Sequence, residues 1–132
     1  MNFDEIRACM ESDGWPLEVL AESTTMRSRF RGAGRVFPLF VHLEEVFVNL
    51  AVIPFSRLPN EPEAADALMK RLLKLNREIN LAKFSIDDDG DVILSVEYRL
   101  ENLDPSEIRD AVDVLSFYAE KHFAEVDGLA KG

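Results

Sequence analysis

The chain has 132 residues, 47% of them hydrophobic and 30% charged, which suits one globular domain that buries about two thirds of the surface its unfolded chain exposes. Fifteen Lys and Arg against 25 Asp and Glu leave a net charge of −10, a balance that repels phosphate backbones and anionic lipid and excludes nucleic acid and membrane surfaces as first choices of partner. The single Cys9 permits no internal disulfide, the start Met1-Asn2-Phe3-Asp4-Glu5 has no basic or apolar leader, and a cytoplasmic protein is expected.

Asp4 to Met10 reads as a short helix that closes near Asp13-Gly14, before Trp15-Pro16. The period then becomes two. Met26 to Arg31 alternates, Gly32-Ala33-Gly34 is a turn signal, and Val36–Leu43 and Val46–Ile53 are β-rich runs split by Glu44-Glu45, which predicts an antiparallel three-stranded meander. Leu17 to Glu22 fits an extension of the first strand as well as a loop. Pro54 and Pro59 predict a linker, and Glu63 to Ala82 then carries Ala65, Leu68, Leu72, Leu75 and Ile79 at helical spacing.

Lys83–Asp87 and Val92–Leu100 predict a hairpin around Asp88-Asp89-Gly90, where Asp and Gly accept the backbone angles of a tight turn. Asp104-Pro105-Ser106-Glu107 is a strong helix start with capping-box spacing. The helix it opens runs to about Val126 on the stripe Ile108, Ala111, Val112, Leu115, Tyr118, Ala119, His122 and Val126, leaving Val114, Phe117 and Phe123 to one side. The order α-β-β-β-α-β-β-α predicts a single α+β domain over residues 1–132, an antiparallel sheet with helices packed on one face.

Chemistry-bearing motifs are few. Ser85, Asp87, Asp89 and Gly90 match the start of a calcium loop, but Val96 stands where a bidentate carboxylate is required. Gly32-Ala33-Gly34 joins two strands rather than opening a helix, so it reads as a hairpin and not as a dinucleotide fingerprint. His42 and His122 lack partners at ligand spacing, Cys9 sits in an apolar stripe, and no nucleophile and base can be paired. No catalytic residue, metal or cofactor is expected, and the protein is read as a non-enzyme.

The surplus of the sequence is apolar. Along Val36–Leu43 one face shows Phe37, Leu39, Val41 and Leu43, while the other shows Val36, Pro38, Phe40 and His42; both faces of Val46–Ile53 are largely apolar as well. One layer of helices covers one face. Phe40, Phe47, Ala51 and Ile53 are therefore candidates for holding a client polypeptide, beside a row of Arg27, Arg29 and Arg31 that alternation puts on one strand face and that suits an acidic partner. The alternative is that irregular packing within the subunit uses these apolar groups and that carboxylates pair the arginines. Pro38 suggests that its strand lies at a sheet edge, where a partner strand could add.

Met69 and Leu73 stand beside the main stripe of the central helix with Asn76 and Asn80 continuing their row, a pattern that reads as a homodimer contact. A second functional reading is a sensory domain with a small-ligand pocket near Trp15, His42 and Tyr98.

The segment Leu72-Leu73-Lys74-Leu75-Asn76, then Leu81-Ala82-Lys83-Phe84-Ser85-Ile86-Asp87-Asp88-Asp89-Gly90-Asp91-Val92, and the continuation Leu100-Glu101-Asn102-Leu103-Asp104-Pro105 resemble the YbjN family and its structural relatives, the type III secretion chaperones. The resemblance spans about Leu68 to Leu115. It implies a chaperone-like fold and a homodimeric, non-enzymatic protein that holds an extended client segment on apolar patches. For the YbjN branch it implies a regulator.

Overall fold

Side chains that satisfy orphan backbone groups set where the helices begin. Asn2 and Glu5 form a reciprocal capping box that opens helix α1 (Phe3–Ser12), and Asp104 with Glu107 does the same for α3 (Pro105–Ala130), which has Pro105 in its first turn. Glu61 caps α2 (Pro62–Glu78) by accepting the N–H groups of Glu63 and Ala64. The computed structural model describes all 132 residues.

Six strands complete it: β1 (Glu18–Ala21), β2 (Thr25–Gly32), β3 (Arg35–Leu43), β4 (Phe47–Arg57), β5 (Lys83–Ile86) and β6 (Asp91–Arg99). They form one antiparallel sheet in the order β1-β2-β3-β4-β6-β5. The predicted meander is β2-β3-β4. Its first hairpin turns on Ala33 (φ 50) and Gly34 (φ 75), both left-handed, the geometry that suits the twist of a two-residue connection. The hairpin of β5 and β6 turns on Asp87, whose carboxylate accepts the N–H groups of Asp89 and Asp91 at 3.0 and 2.9 Å. The acidic run thus serves as turn chemistry.

The helices all lie on one side. Phe37, Leu39, Val41 and Leu43 of β3, Val48, Leu50 and Val52 of β4, and Val92, Leu94 and Val96 of β6 bury one sheet face in a single core with Ile6 and Met10 of α1, Leu68, Leu72 and Leu75 of α2, and the predicted stripe of α3. Phe30, Phe37, Phe55 and Phe84 continue one another as a line of ring contacts through this core, at centroid separations of 5.3–5.7 Å.

Five features differ from the sequence reading. Residues 18–21 are a separate strand rather than an extension of β2, so the sheet has six strands and the order gains one β. Pro54 does not end β4: pairing with β6 slips between Val52 and Ser56 and resumes at Ser56 and Arg57, so the proline sits in an irregularity where its missing N–H is not needed. Helix α2 ends at Glu78 because Ile79 turns extended (ψ 154) and Leu81 is left-handed (φ 67), which leaves Asn80 outside the helix. Phe123, half-buried, packs onto the core edge-on against Phe37 and Phe55 rather than standing aside. Pro38 lies on an interior strand, not an edge, at a position where the pairing of β3 with β4 has yet to begin at Leu39.

Candidate functional site

The face of the sheet turned away from the helices is built by the odd residues of β2, the even residues of β3 and, up to the irregularity after Val52, the odd residues of β4. Cross-strand register puts Arg27 opposite Phe40, Arg29 opposite Pro38 and Arg31 opposite Val36, and Phe40 in turn opposite Ala51. A column of three guanidinium groups therefore runs beside an apolar column, and neighbours directly opposite in a sheet are close enough to interact. Val36 is 42% exposed, while Phe40 and Ile53 are half-buried.

Ala51 is only 5% exposed, covered by its neighbours on the sheet, so it forms the floor of this surface. Phe47, 39% exposed, points to the same side but stands two rows from Phe40, beyond the opposed pair His42 and Asn49. Phe40, Ala51 and Ile53 are thus brought together, and Phe47 is apart.

The arginines differ in their partners. Arg27 makes an ion pair with Glu18 of β1 at 2.8 Å, whereas Arg29 and Arg31 are exposed and have no carboxylate within ion-pair distance. Arg35, the fourth basic residue of this stretch, turns to the helix side, with its guanidinium over the rings of Phe37 and Phe123 at 5.0 and 4.6 Å. A groove of about 590 Å³ opens between Pro16, Leu17 and Glu18 on one side and Arg27, Ser28 and Arg29 on the other, with Val36 and Pro38 on its wall. The sequence pattern gave no sign of this groove, because it exists only where β1 stops short of the end of β2.

The second candidate surface is α2. Leu73 is 71% exposed, with Met69 half-buried beside it. Asn76 is committed within the chain: its amide donates to the Phe84 carbonyl at 3.0 Å and accepts the Phe84 N–H at 2.7 Å. Asn80 lies past the helix end, its backbone N–H donating to the Tyr118 hydroxyl at 2.8 Å.

Trp15, His42 and Tyr98, suggested as a ligand pocket, do not converge. Trp15 packs edge-on against Phe30, His42 is exposed on the outer face against Thr25, and Tyr98 is on the opposite face near α3, where burial followed by the charges of Glu107 and Asp110 raises its pKa. His122 is a core residue between the rings of Tyr118 and Phe84. Burial, then the Lys121 charge, lowers its pKa.

Comparison with known proteins adds three findings. Residues 33–129 match the family model TY-Chap1, described as T3SS (YopN, CesT) and YbjN peptide-binding chaperone 1. No curated protein matches the chain. Two solved structures are similar in fold: a chain of the heterodimeric complex ExoU-SpcU from the type III secretion system of Pseudomonas aeruginosa (TM-score 0.61, 19% identity, 93% of this chain and 95% of that one), and YbjN from E. coli (TM-score 0.66, 13% identity, 95% of this chain and 93% of that one).

Proposed function

The chain belongs to the TY-Chap1 family of peptide-binding chaperones, and from that premise we propose that it holds an extended client polypeptide on the outer face of its sheet, as a homodimer and without chemistry of its own. The observation that carries this reading is the uncovered face itself. All three helices pack on the other side, and Pro38, Phe40 and Ile53 lie around the floor of Ala51, with Val36 further along β3 and no element of the chain above them. An apolar surface of this kind gains by burial against a partner's side chains, at about 25 cal/mol per Å² of area removed from water. The net charge keeps such a surface soluble while it is empty.

The test is capture of client from lysate by the wild-type protein and by Phe40→Asp and Phe47→Asp variants. Both changes lie on the outer face, so circular dichroism should stay unchanged while the captured polypeptide is lost; Phe40→Asp, at the centre of the surface, should have the larger effect. Phe117→Asp on the helix side, where Phe117 is 59% exposed, should capture client normally. Capture that survives both outer-face changes and fails in Phe117→Asp would reverse the assignment.

Self-association is assigned to the exposed side of α2, with Leu73 and Met69 as the apolar contacts. Leu73→Asp should convert a dimer into a monomer in sedimentation velocity without lowering Tm. An unchanged sedimentation coefficient would remove α2 from the interface.

A further inference from the structure

The register of β2 decides which of its backbone groups are free. The Leu43 N–H donates to the Thr24 carbonyl at 2.7 Å, and Thr25 stands opposite His42. In an antiparallel ladder bonded and non-bonded pairs alternate, so the even residues of β2 bond to β3. The odd residues, Arg27, Arg29 and Arg31, turn their N–H and C=O groups the other way.

Arg27 meets Glu18 of β1 there. Arg29 and Arg31 meet nothing: β1 pairs only with Thr25, Met26 and Arg27, and the backbone groups of these two arginines have no partner in the chain. Continued register would bring Pro16 opposite Arg29, and a proline has no N–H to give. At the other edge of the sheet the Asn76 amide already occupies the outward backbone groups of Phe84, in the middle of a four-residue strand. The open edge is Ser28–Gly32.

Resting on the client-holding reading above, we propose that the client segment is an acidic strand of alternating pattern that pairs with this edge. Its backbone takes the free groups of Arg29 and Arg31. Successive side chains of a strand point to opposite faces. Those on the outer side come beside the two guanidinium groups that lack a carboxylate, and Asp or Glu satisfies them with charge-assisted bonds. Those on the inner side come against Phe30 and Trp15 and are apolar. A chain of net charge −10 repels acidic polypeptides in general, so this pair of arginines selects segments whose carboxylates fall two residues apart. The arginines lie before residue 33, outside the family match.

Three short fluorescent peptides test it, alternating Val with Glu, Gln or Lys, each measured by anisotropy at low and high salt. The Glu peptide should bind about tenfold tighter than the Gln peptide at low salt and lose that advantage at high salt. Arg29→Ala/Arg31→Ala should equalise the Glu and Gln peptides, and Arg29→Glu/Arg31→Glu should shift preference to the Lys peptide. Equal binding of all three peptides, still abolished by Phe40→Asp, would overturn the acidic client while leaving the holding function intact. If no peptide binds and Phe40→Asp also leaves client capture unchanged, both readings fall.

Discussion

At the scale of single residues the structure sorts side chains that look alike in the sequence. His122 and His42 are the two histidines; the first is buried between aromatic rings and the second is exposed. Burial holds His122 below the ordinary imidazole pKa, so the unfolded chain takes up a proton there more readily than the native one. The sign follows from linkage: native stability is unaffected by this group above the ordinary histidine range and falls as pH drops from that range through the lowered native pKa. His122→Gln should therefore show a smaller loss of Tm between pH 7 and pH 5.5 than the wild type, read by thermal unfolding in matched buffers. An equal loss in both proteins would show that His122 does not sense this range. The histidine's position on the apolar stripe was legible from spacing alone, and so was the shared face of Arg27, Arg29 and Arg31. The turn of Arg35 onto Phe37 and Phe123 was not, because it depends on a residue of α3 that sequence places nowhere near it.

At the scale of elements, local signals were reliable wherever the chain's own chemistry decides the outcome. The capping box of α3, the turn around Asp88-Asp89-Gly90 and the alternation of β2 are local, and each was readable before any contact was known. The strand β1 was not readable, since four residues with no strong pattern become a strand only by pairing with β2 across a tertiary contact. The end of α2 escaped for a similar reason. The apolar stripe continues to Ile79, and the helix stops because Asn76 ties its last turn to Phe84 on β5 and the chain must reverse there.

That tie yields a prediction. Asn76→Leu leaves the two outward backbone groups of Phe84 without their side-chain partner, a loss of about 1–3 kcal/mol for half-buried groups of this kind. Denaturant unfolding should show it, together with faster amide exchange at Phe84. An exposed strand edge also invites pairing with another chain, so the variant should self-associate beyond the wild-type state. Unchanged stability and exchange would mean that the amide is incidental.

At the scale of the whole molecule the central claim is about sides. A sheet covered by helices on one face and bare on the other presents a column of apolar side chains, a column of arginines and one open edge, all within β2 and β3. The sequence made the surplus of apolar residues visible through the two apolar faces of Val36–Leu43. It left open whether the chain would cover that surplus itself. Packing of α1, α2 and α3 on the same side gives the answer, and no reading of one segment at a time contains it.

Amide hydrogen exchange measured on the free protein and on its complex with captured client tests this directly. Strand addition at the open edge should slow exchange at Arg29 and Arg31 by well over tenfold and leave α2 and α3 unchanged. Protection confined to the helical layer, with Arg29 and Arg31 exchanging as in the free protein, would contradict the account.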